Sequence, residues 1–178
     1  MFEMPYTKKT VITAACIALC AVLPMAFHAI PNAGDIWLPM HIPVLLCGLI
    51  CGSRLGALCG ILGPFLSSIL TQMPPAANLP SMILELTCYG FVSGFMINRI
   101  RTGKQLYDIL ISLVCAMIAG RIVYGIANAA LFNIGKFTIN GWLVSSFVTS
   151  LPGIVFQIIL VPLIITTLQK ALLLPEKY

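Results

Sequence analysis

The sequence predicts an all-α integral membrane protein, a six-helix bundle with both termini in the cytoplasm. Three observations carry this expectation. Of 178 residues, 60% are hydrophobic and only 8% are charged, where a soluble domain carries about 25% charged residues. The mean hydropathy is +1.03. The apolar residues fall into stretches close to the ~20 residues that cross a bilayer, separated by polar or proline-containing turns. Ten basic and five acidic side chains cannot coat a soluble surface. That excludes a soluble globular domain, a disordered tail and a nucleic-acid-binding module. One transmembrane domain over residues 1–178 is expected in a lipid bilayer.

Each helix follows from its boundaries. Lys8 and Lys9 precede the apolar run Val11 to Ala29. That run exceeds the roughly 7–15 residues of a signal-peptide core, so it reads as a retained first helix, 9–29. A polar, turn-rich segment follows at 30–40. The second helix, 41–52, is short for a full crossing and is interrupted by Ser53-Arg54. The third, 55–72, ends at Gln72-Met73-Pro74-Pro75. Pro80 suits a first helical turn and opens the fourth, 80–98. A basic turn, Asn98 to Lys104, leads to the fifth helix, 106–133. A polar loop at 133–141 holds Lys136, and the sixth helix, 142–172, is expected to bend near Pro152-Gly153 and Pro162.

Charge orients the bundle. With the N-terminus inside, the inner segments hold Lys8, Lys9, Arg54, Arg99, Arg101, Lys104, Lys170 and Lys177, eight of the ten basic residues. Among the outer loops only 133–141 carries one, Lys136. This asymmetry supports the positive-inside orientation. The outer segments 30–40, 73–79 and 133–141 are longer and chemically richer, so the working face is expected there.

Two charges lie well away from the ends of predicted spans, Glu85 and Arg121. A central arginine costs roughly 2.5–3.5 kcal/mol on insertion scales and normally faces the bundle interior or a wet cavity. Arg121, Tyr124 and Asn128 share one face of their helix, and Glu85, Tyr89 and Ser93 share one face of theirs. Glu85 and Arg121 are within reach of each other if the arginine snorkels. The pair reads either as a structural lock or as an anion site in which Glu85 orients the Arg121 fork toward a carboxylate or phosphate. Further candidates are Trp37 and His41 beside the first outer loop, Asn78 in the second and Trp142 at the start of the sixth helix. Both tryptophans are equally readable as interfacial belt residues. Gln157 lies deep in the sixth helix and reads as an interhelical or backbone hydrogen-bonding residue.

Seven cysteines lie in apolar runs without zinc-type spacing and read as small packing residues. No metal or cofactor is expected. Nothing matches HExxH, GxSxG or a phosphate-binding loop, so an enzyme is not expected. Gly48, Gly52, Gly56 and Gly60 recur at four-residue intervals, and Ala14-x-x-x-Ala18 marks the first helix. Such spacing lets helix backbones approach closely.

The chain resembles the substrate-binding S components of energy-coupling-factor (ECF) vitamin transporters. The resemblance rests on size, six helices, Ala14-x-x-x-Ala18, and the stretch Met40-His41-Ile42-Pro43-Val44-Leu45-Leu46-Cys47-Gly48 followed by Gly52-Ser53-Arg54-Leu55-Gly56-Ala57. It implies capture of a vitamin from outside and docking, through Ala14 and Ala18, on a transmembrane coupling subunit with two ATPases. That stretch looks most like the pantothenate-type group, and Arg121 favours an anion. A self-sufficient small transporter or channel, and a membrane scaffold, are the other classes the sequence admits.

Overall fold

The computed structural model describes residues 4–27, 33–132 and 138–175. Among these the chain is helical: α1 Tyr6–Phe27, α2 Ala33–Trp37, α3 His41–Cys51, α4 Ser53–Thr71, α5 Leu79–Arg99, α6 Gln105–Ala127, α7 Ile139–Leu143 and α8 Leu151–Lys170. A π-helical stretch, Asn128–Phe132, continues α6, and a second, Val144–Thr149, joins α7 to α8. Five segments are long and apolar enough to cross a membrane: Tyr6–Ala26, Ser53–Thr71, Leu79–Arg99, Gln105–Ala130 and Leu151–Lys170. Where a sixth crossing was expected at 41–52 the structure has α3, with only eleven residues. At 1.5 Å per residue it spans about 16 Å, roughly half a hydrocarbon core.

All eleven residues of α3 are buried. It is apolar all round, which suits a helix enclosed by others, and α1, α4 and α5 enclose it. The glycine spacing makes this possible. Gly56 and Gly90 face each other so closely that a Cβ on either would strike the other's carbonyl oxygen. Between α3 and α4 the expected break at Ser53-Arg54 reduces to one residue, because Gly52 takes φ 97° and turns the chain alone.

The remaining differences have local causes. The segment 30–40 was expected to be a polar loop but contains α2, which lies on Gly153 so tightly that a Cβ there would meet the Ile36 carbonyl oxygen. The expected single helix 142–172 is divided at Ser150, whose hydroxyl donates to the Ser145 and Ser146 carbonyls at 2.7 and 3.0 Å. Pro152 then sits in the first turn of α8, where a missing N–H costs nothing, and Pro162 is carried inside that helix. Asn32, Lys136 and Lys177 lie outside the described residues.

The two ends of the bundle differ. Lys8, Lys9, Arg54, Arg99, Arg101, Lys104 and Lys170 share one end. There Gln105 and Gln169 exchange hydrogen bonds at 2.7 and 3.1 Å. Asp108 accepts from the Thr102 amide and hydroxyl at 2.9 and 2.7 Å, tying down the turn before α6. The opposite end carries α2, α7 and the longer connections.

Candidate functional site

The short α3 determines where the site forms. It begins at His41, well below the loop-bearing end, and so leaves the upper part of the bundle to α2 and its flanking turn. His41 is 2% exposed, Glu85 3% and Arg121 6%. Glu85 lies six residues into α5, about 9 Å down from its start. Its Oε1 stands 3.1 Å from Arg121 Nη1 on α6 and 3.6 Å from His41 Nε2 on α3. Three helices thus converge on one carboxylate oxygen. The Arg121 contact is an ion pair without the alignment of a hydrogen bond, since Glu85 Oε1 has no hydrogen-bond partner by geometry. Three further nitrogens of the cluster are buried without a hydrogen bond: Arg121 Nη2, His41 Nδ1 and His41 Nε2.

Tyr89, one turn below Glu85, forms the floor. It is 1% exposed. Its ring meets the His41 ring edge-on, with centroids 5.0 Å apart. The other side of the ring rests on α6, where a Cβ at Gly120 would come within about 3.0 Å of it. Glycine next to Arg121 therefore lets α5 and α6 approach closely enough for the ion pair to form.

The other expected site residues fall around this centre. Trp142 packs on Gly125, one turn beyond Arg121, and meets Phe147 edge-on at 5.9 Å. Its indole nitrogen is buried without a hydrogen bond, while the residue as a whole is half-buried. Asn128 is buried and donates from its amide to the Tyr124 carbonyl at 2.9 Å. That bond competes with the helical ladder where the π-helical stretch begins, and such stretches recur at functional sites. Tyr124 is half-buried on the same helix. Trp37 is half-buried and stands edge-on to Phe156 of α8, 6.0 Å away. Asn78 is exposed ahead of α5, and its carbonyl accepts from the Ser81 hydroxyl at 3.0 Å. The structure does not bring it to the cluster. Ala14 and Ala18 lie on the exposed face of α1 beside Val11 and Val22, while Thr13, Cys16 and Cys20 face inward.

The sequence reading did not place Gln157 among the site residues. It is fully buried on α8, and neither amide atom makes a hydrogen bond. An isolated glutamine in an apolar helix signals polarity but not which way it faces. Among the described residues no cluster of histidine, cysteine and carboxylate side chains could hold a metal.

A multi-pass helical membrane protein that buries ionisable side chains within its bundle has the features of a ligand-binding or transporting protein. The family follows from a direct comparison. The chain belongs to the substrate-specific components of ECF transporters, whose family model matches residues 8–173. Searches of curated proteins and of solved structures return no match.

Proposed function

We propose that the chain captures a small anionic nutrient of the vitamin class at the His41–Glu85–Arg121 cluster and delivers it through an ATP-driven coupling module. One observation carries this reading. Glu85 takes one arm of the guanidinium, while Nη2 of the same group is buried without a hydrogen bond. A fork held by one arm and unsatisfied on the other suits a carboxylate arriving between α5 and α6. Pantothenate, a monocarboxylate, is the first ligand to test.

The same proposal orients the molecule. The basic end faces the cytoplasm of a bacterial cell, both termini lie there, and α3 with the segment above it serves as the sixth crossing. Trp37, Trp142, Tyr124 and Asn128 are assigned to the surroundings of the ligand, while Asn78, exposed ahead of α5, stands apart from the cluster. Ala14 and Ala18 meet the transmembrane coupling subunit, which two ATPases drive. The exposure of these small residues on α1 supports that role.

Calorimetric titration of the purified chain with pantothenate, nicotinate and folate tests the site. Combining Arg121→Met with Glu85→Gln removes both charges together. Affinity for the bound acid should fall roughly 10- to 150-fold, as expected for loss of a charge-assisted hydrogen bond. Near-equal affinity would leave Arg121 as a packing charge paired with Glu85.

A further inference from the structure

We propose that Gln157 reads a neutral polar group of the ligand, so that the substrate is a monocarboxylate bearing an amide or hydroxyl. This deepens the anion-site reading above and rests on it. The inner stripe of α8 is Gly153, Gln157, Val161, Pro162 and Ile165. Gln157 is its one polar side chain, with 0% exposure and both amide atoms unbonded. A buried amide left unsatisfied carries its full desolvation penalty, and a leucine would pack there without it. Groups kept at such a cost concentrate at functional sites.

Its place in the bundle points toward the same cluster. Gln157 lies one turn below Gly153, on which Ile36 and Trp37 of α2 rest. His41 follows Trp37 by four residues. Besides α2, α8 packs against α3 and α6, the helices that carry His41 and Arg121. A primary amide presents one acceptor and two donors on a flat group. That matches an amide or hydroxyl in the ligand, not a second charge. A charged partner at Gln157 would have no counter-ion on α8, whose nearest ionisable residue is Lys170 at the far end.

Gln157→Met, close in length and volume, separates this role from a structural one, with Gln157→Leu as a second variant. Ligand-free protein should melt about 2–4 °C higher in either variant, because an unsatisfied amide has been removed. A lower melting temperature in both would show that the amide is bonded within the fold and overturn the proposal. Two probes share an anion: pantothenate has an amide and hydroxyls, and hexanoate has neither. The wild type should prefer pantothenate. Gln157→Met should weaken pantothenate roughly 5- to 30-fold and leave hexanoate unchanged. Unchanged pantothenate affinity, equal wild-type affinity for the two acids, or binding of neither would each overturn it. If Gln157→Met loses pantothenate while the Arg121/Glu85 double variant keeps it, the anion reading alone fails.

Discussion

At the scale of single residues, burial makes the charges interdependent. Glu85 and Arg121 are nearly inaccessible, so removing one leaves the other without compensation. Glu85→Gln alone should destabilise the protein by about 3–5 kcal/mol, and adding Arg121→Met should restore most of it. Thermal unfolding in detergent checks both, and additive losses would show that the two charges are not coupled. Arg121→Lys should recover only part of ligand binding, since a point charge cannot keep Glu85 and a carboxylate on separate arms. The meeting of Glu85 and Arg121 was legible in the sequence, because two opposite charges in apolar spans have few other partners. The convergence of His41 on the same oxygen was not. Its position at a helix start says nothing of its height against Glu85, which the depth of α3 sets. Gln157 went unplaced because its inward direction depends on how α8 rotates against α2.

Among the elements, close backbone contact rather than side-chain volume fixes the bundle. Gly56→Val would drive a side chain into the Gly90 carbonyl of α5. Overpacking of this kind typically costs about 1–3 kcal/mol, and forcing two backbones apart belongs at the upper end. Gly34→Ala, with open space around its Cβ, should leave the melting temperature unchanged. A similar melting temperature for both variants would contradict the packing described. The four-residue glycine spacing foretold this contact, since small residues one turn apart have one structural use in a membrane helix. Two features escaped the reading wholly or in part. The helix α2 has five residues, too few for periodicity to show. The break at Ser150 falls two residues before Pro152, where a bend was expected, but its form depends on a hydroxyl turning back onto two carbonyls.

Across the whole molecule, composition and the length of the apolar runs predicted an all-helical membrane protein, and the helices and the family match agree. The asymmetry of basic residues predicts the sidedness. In intact cells an impermeant thiol reagent should label Asn78→Cys and not Gly103→Cys in a cysteine-free background; the reverse pattern would invert the orientation. Capture and energy supply are assigned to separate surfaces. Ala18→Trp should therefore leave ligand binding intact and abolish ATP-driven uptake, because bulk is added on the exposed face of α1 and not at the cluster. Uptake surviving that change would remove this face as the docking surface. The most direct measurement is native mass spectrometry of the protein purified from cells grown in rich medium. The wild type should carry one small carboxylic acid, released on denaturation, and the Arg121→Met, Glu85→Gln double variant should emerge without it. Retention of the same acid by both would contradict an anion site at Arg121, and a wild type that carries and binds no small acid would contradict substrate capture at this cluster altogether.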